Sequence, residues 1–169
     1  MRLRSKRAEQ PAEGAPTIYL YEIADPNLGT WSPTNSVVAH SFNEAIALLR
    51  SRKLDLSTTA VVFEPLKGPL VPAKNVTFSF VRGGFHVTAD ADGAAAIVLP
   101  VQYSQCWHAV TSSRSGDVSG VELRRVNALQ TLVTFSGHVD ATFRFAFGLF
   151  EDVRCRLRDV AELKSLGVN

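Results

Sequence analysis

From Asn75 onward, apolar and polar residues alternate with a period of two. Val76, Phe78 and Phe80 alternate with Thr77 and Ser79, and Phe85, Val87 and Ala89 alternate with His86, Thr88 and Asp90. This is the pattern of strands with one face in a core. Gly83-Gly84, Asp92-Gly93 and Ser136-Gly137 read as tight turns between them. Ala94 to Val101 is almost continuously apolar, which predicts a strand buried on both faces. Further strands are expected from Trp107 to Val110, from Val121 to Val126 and from Thr131 to Phe135, with Ser112 to Gly120 a polar loop. The clearest alternation comes last: Val139, Ala141, Phe143, Phe145 and Phe147 face one way, and Asp140, Thr142, Arg144 and Ala146 the other. Short strands at this spacing predict a mainly β (α+β) fold, an antiparallel, jelly-roll-like β-sandwich over 75–150.

The segment before it has a different rhythm. Thr17 to Ile23 is rich in β-branched and aromatic residues and reads as a strand, followed by a Pro- and Asn-containing loop to Asn35. Ser41-Phe42-Asn43-Glu44 is a capping box, in which Ser41 and Glu44 satisfy amides at the helix start. Phe42, Ala45, Ile46 and Leu49 then share a helical face, so a helix is expected from Phe42 to about Arg52. Ala60 to Glu64 is a strand, and the prolines and glycine of 67–72 read as a hinge. The expected order is a linker at 1–16, a small β-α-β unit at 17–66, the sandwich at 75–150, and a helical tail at 151–169. That tail packs on the sandwich as a helix from Arg156 to Leu166, closed by Gly167.

Charge narrows the partners. The net charge is +2, but Arg2, Arg4, Lys6 and Arg7 crowd the first positions; taking these four from 18 basic residues leaves 14 against 16 acidic ones, a net −2. The body therefore lacks the positive field of a nucleic-acid binder. The basic head reads as a disordered tail or as a juxtamembrane flank touching anionic headgroups. No apolar stretch approaches the roughly 20 residues of a membrane span, and no signal-peptide core follows the basic head. Read with Met1 as the true start, the chain is cytoplasmic.

Catalytic patterns are absent. His40, His86, His108 and His138 form no metal-ligating spacing, and no nucleophile elbow or phosphate loop occurs. Cys106 and His108 share a strand face about 7 Å apart, too far for a direct hydrogen bond. Asp90 and Asp92 flank a turn, where aspartate is favoured for conformational reasons. No catalytic residue, metal site or cofactor is assigned. Cys106 and Cys155 fit two buried apolar side chains or one disulfide. The remaining constellation is of a binding type: Tyr103, Trp107 and His108, with Arg124, Arg125 and Asn127 two strands on. Aromatic faces stack on sugar rings, and Arg and Asn bond hydroxyls or phosphates. The competing reading, that Tyr103 and Trp107 are core residues of the sandwich, is the simpler one for the aromatics. Adjacent strand residues face opposite sides, so one of Arg124 and Arg125 must turn inward and meet a carboxylate or a ligand.

The order of several motifs adds a resemblance. Leu99-Pro100-Val101-Gln102-Tyr103-Ser104-Gln105-Cys106-Trp107 resembles an LP-x-x-YS-x-x-W segment of YfhO-like bacterial membrane proteins. Leu123 to Asn127 and Val133 to Ala141 resemble that family's following hairpins, and 17–62 resembles the stretch after its last membrane segments. The family is similar to GT-C glycosyltransferases, which use polyprenyl-phosphate-linked sugars. The resemblance implies a non-catalytic, extracytoplasmic C-terminal domain that binds a glycan or sugar-phosphate, or scaffolds the transmembrane portion or membrane subunit. It also implies a Cys106–Cys155 disulfide. The alternative is a structural protein-interaction module that docks on a membrane partner without binding sugar and exposes an apolar patch.

Overall fold

The structure is a computed structural model that describes residues 3–7, 19–23, 25–110, 120–146 and 151–168. It is mainly β, with strands β1 (Leu3–Arg7), β2 (Tyr19–Ile23), β3 (Asn35–Val38), β4 (Thr59–Val62), β5 (Lys74–Val81), β6 (Gly84–Gln102), β7 (Trp107–Val110), β8 (Glu122–Val126) and β9 (Gln130–Phe145). Helix α1 (Phe42–Arg50) lies between β3 and β4, and α2 (Glu151–Ser165) ends the chain. A two-stranded ladder joins β1 to β2; the rest form one seven-stranded sheet in the order β3-β4-β8-β9-β6-β5, with β7 also on β9. The sheet is not closed: β3 and β5 stand at its two ends.

Two turns expected from the sequence are not turns. Asp92-Gly93 lies inside β6 and Ser136-Gly137 lies inside β9. Asp90 pairs with His138 and Ala94 with Ser136, so Ala91, Asp92 and Gly93 stand opposite Gly137 alone. The glycines serve a bulge that redirects two long paired strands, rather than ending them. The bulge preserves parity. Phe85, Val87, Ala89, Ala95, Ile97 and Leu99 of β6 join Val133, Phe135, Val139, Ala141 and Phe143 of β9 in one buried cluster. On the opposite face, Ala96, Val98 and Leu132 pack with Ala60, Val62 and Val126. The centre of the apolar run expected at 94–101 is thus buried on both faces, from Ala95 to Leu99, while Pro100 is exposed. Phe147 and the polar loop at 111–119 lie outside the described residues.

The β-α-β stretch is part of the same sheet. β3 and β4 run parallel, joined by α1, and β4 adjoins β8 through Val62 and Val126. Ser41 Oγ accepts the Glu44 amide at 3.1 Å, while Glu44 Oε2 accepts the His40 amide at 2.7 Å, one residue before the partner expected of a capping box. Ala45 is buried with Ala39 and Val61, against Leu48 and Leu49. The segment expected as a hinge bonds to the sheet and to the loop before β3. The Val71 amide donates to Ala94 O at 2.8 Å, the Ala73 amide to Ser32 Oγ at 2.8 Å, and Leu66 and Leu70 pack on the second cluster. Strand β2 does not belong to this unit: it pairs with β1, within the segment expected as a linker. Backbone pairing needs no apolar alternation, so the basic composition of Leu3–Arg7 did not announce it. Residues 1–2 and 8–16 of that expected linker, and 17–18 of the expected strand, lie outside the described residues.

Candidate functional site

The candidate binding residues meet where β6 ends and α2 packs on the sheet. After Gln102 the chain turns: Ser104 Oγ accepts the Cys106 amide at 3.0 Å, and the Tyr103 amide donates to Leu129 O at 2.8 Å. The turn places Cys106 next to Cys155, and the two form a disulfide with Cα atoms 5.0 Å apart. The same helix face carries Asp159, Glu162, Leu163 and Leu166 at helical spacing from Cys155. Asp159 accepts from Ser104 Oγ at 2.5 Å and from the Gln105 amide at 2.7 Å, and Glu162 accepts from Gln105 Nε2 at 3.1 Å. The helix closes with Gly167 in the left-handed region (φ 83°), its amide on Lys164 O and the Val168 amide on Leu163 O. Leu166 O then accepts the amide of Phe42 at 2.9 Å, so the end of α2 satisfies an orphan donor at the start of α1.

Of the adjacent arginines, Arg125 turns inward. It is 5% exposed, and its Nε donates to Glu162 Oε1 at 2.8 Å. Its Nη2 lies 4.0 Å from Asp159 Oδ1, beyond hydrogen-bond reach, so among the described residues neither Nη makes a hydrogen bond. The guanidinium carbon sits 4.9 Å from the ring centre of Tyr103, a cation–π distance. Burial, then the negative charge of Glu162, pushes the Tyr103 phenol up to about 12 from 10.0, while the Arg125 charge pulls the other way. Tyr103 is therefore a neutral hydrogen-bonding group at physiological pH.

Trp107 is half-buried. Its ring centre lies 4.9 Å from Phe85 and 5.1 Å from Phe145, and its Nε1 donates to Gln102 O at 3.0 Å. It therefore packs on the core and also borders a cleft of about 360 Å³ whose other walls include Tyr103, Arg125, Leu129 and Asp159. A second cleft of about 240 Å³ lies between Phe63, Arg124, Arg125 and Glu162. Tyr103, Trp107 and Arg125 thus converge. The other candidates do not join them. Arg124 is held by Glu122 at 2.8 Å, with Glu64 at 3.8 Å, and borders only the smaller cleft. His108 is exposed on β7 opposite Arg144. Asn127 is structural: its backbone amide donates to Val61 O at 2.8 Å, its Oδ1 accepts the Val61 amide at 3.0 Å, and its Nδ2 donates to Gln130 at 3.0 Å. It joins β4 to the β8–β9 turn where only one residue pair of the ladder forms.

Asp159 and Glu162 were not among the sequence candidates. The signal was present, since two carboxylates share a helix face with a cysteine and two leucines, and carboxylates on a packed face need partners. Asp90 and Asp92 do not act together: Asp90 takes His138 at 2.7 Å and Asn75 at 2.9 Å, while Asp92 pairs with Lys74. Among the described residues no cluster of three His, Cys, Asp or Glu is arranged to hold a metal ion, and no helix is long and apolar enough to cross a membrane. Comparison with protein-family models, with curated proteins and with solved structures finds no match to this chain.

Proposed function

We propose that this chain is a non-catalytic binding domain whose larger cleft takes a sugar or sugar-phosphate. The observation that carries the reading is Arg125. A guanidinium buried this deeply is ordinarily saturated with acceptors, because unpaired buried donors cost free energy. Here one edge is anchored by Glu162, and Asp159 lies 4.0 Å from Nη2, so the Nη donors beside Tyr103 have a nearby counter-charge but make no hydrogen bond among the described residues. A phosphate or vicinal hydroxyls would supply acceptors in the planar geometry that arginine favours. Trp107 and Leu129 offer apolar surface for the C–H face of a ring, and Gln102 and Ser104 offer polar atoms. The reading agrees with the resemblance to the soluble tail of YfhO-like membrane glycosyltransferases. An extracytoplasmic location is supported by the Cys106–Cys155 disulfide, since such bonds persist in oxidising compartments.

The test is a titration of the isotope-labelled chain with hexoses and hexose phosphates at millimolar concentration, read at the indole signal of Trp107. Saturable shifts are expected for the phosphates, weaker ones for the plain sugars, and loss of both in Arg125→Gln with the folded spectrum retained. Shifts confined to other regions, or none, would discard the cleft as a sugar site.

A further inference from the structure

The inner face of α2 packs on the turn and the sheet through Cys155, Asp159 and Glu162, while apolar side chains of its outer face are exposed. Val153, Leu157 and Val160 stand at i, i+4 and i+7, so they form one stripe along the helix. They are 54%, 62% and 47% exposed. Arg154 and Arg158, one position on from Val153 and Leu157, form an exposed basic row beside the stripe, and exposed Lys164, four residues on from Val160, ends the stripe itself. The acidic residues of α2 with described side chains, Asp159 and Glu162, both point the other way, to Ser104, Gln105 and Arg125. The outer face is therefore apolar along its centre and cationic at its edge.

From this face we infer a docking surface for an anionic lipid membrane, with α2 lying in the interfacial plane. The charge pattern selects the occupant: apolar side chains suited to shallow insertion, beside arginines and a lysine that pair with anionic headgroups, are the composition of interfacial helices. The size agrees. The stripe from Val153 to Val160 is three side chains over about 10 Å at 1.5 Å per residue, few beside the roughly 20–30 residues that each partner contributes to a stable protein interface. The helix is presented rigidly, since the disulfide and the Arg125–Glu162 pair tie it to the sheet. The inference stands on different residues from the sugar cleft and does not depend on it.

The experiment is flotation of the whole oxidised chain with vesicles of phosphatidylcholine alone or mixed with phosphatidylglycerol, at low and raised salt. Flotation with the anionic vesicles, weakened by salt, is expected. It should fall by about tenfold or more in Arg154→Glu/Arg158→Glu, since each basic residue near an anionic surface contributes about 1 kcal/mol. Leu157→Asp should weaken it as well, with the thermal melt unchanged; should Leu157→Asp unfold, the charge-reversed pair decides. No flotation, flotation indifferent to lipid charge, or flotation that these variants leave intact overturns the inference. So does stripe-dependent dimerisation in sedimentation without vesicle binding, which would assign the face to a second copy of the chain.

Discussion

Arg125 and Asn127 lie two residues apart and were candidates for the same reason, yet they do different work. Asn127 has φ 48° and uses its amide side chain as an extra rung between β4 and the β8–β9 turn. Asn127→Gly keeps that backbone conformation and leaves the Val61 amide without its acceptor, so a loss of about 1–3 kcal/mol is expected in urea unfolding. Tyr103 gives a pH signature. Its phenol is raised to about 12 in the folded chain, chiefly by burial. A raised acid favours its protonated form on folding, so its contribution is complete below about pH 10 and is lost as the pH rises through about 12. In an alkaline absorbance titration, Tyr103→Phe should remove a tyrosine step near pH 12 and flatten the fall in stability over that window. Asp90 shifts the other way: hydrogen bonds from Asn75 and then His138 hold its carboxyl below the usual range. Asn75→Ala should move its titration up toward that range by NMR. Contact types of this kind were not readable from the chain, because an asparagine in a tight turn and an asparagine in a binding site have the same sequence.

Helix α1 was legible because its signals are local. A capping serine, a glutamate three residues on and an apolar stripe act within one or two turns. Helix α2 was legible at its closed end, where Gly167 stops it, and less so at its start, which lies five residues earlier than expected, at Glu151. Its inner face depends on partners far away in sequence. Cys106 and Cys155 are 49 residues apart, and closing that loop constrains the unfolded chain. Reduction, or Cys106→Ala with Cys155→Ala, should lower stability by about 2–4 kcal/mol in matched thermal or urea melts. The Asp159 and Glu162 bonds to the turn and to Arg125 remain in that variant, so far-UV dichroism should keep the α2 signal below the melt.

The long β6–β9 pairing lies inside the seven-stranded sheet, and at Gly84 it leaves no room for a side chain. A Cβ there would fall within about 1.8 Å of Phe143 O. Gly93, in the bulge, has only the Val71 side chain at 3.7 Å from the same position. Gly84→Ala should therefore cost more than about 3 kcal/mol and lower the yield of folded chain, whereas Gly93→Ala should stay within about 1 kcal/mol. A denaturation series on the two variants separates them. The sheet also ties down the segment at 67–72: proline and glycine report local backbone freedom, whereas the Val71 bond to Ala94 is a distant contact.

The period-two alternation, the continuous apolar run at 94–101, the capping box and the closing glycine sufficed to establish a mainly β chain with one internal helix and one final helix. Those features are legible because strand pleat and helix pitch impose their periods on neighbouring residues. Only the tertiary structure decided that two Gly-containing turns are one bulge, that Arg125 rather than Arg124 turns inward, that Asn127 is a rung of the sheet, and that Cys106 meets Cys155. Each of these depends on which residues from distant parts of the chain come to face one another, and that pairing is fixed by packing rather than by local pattern.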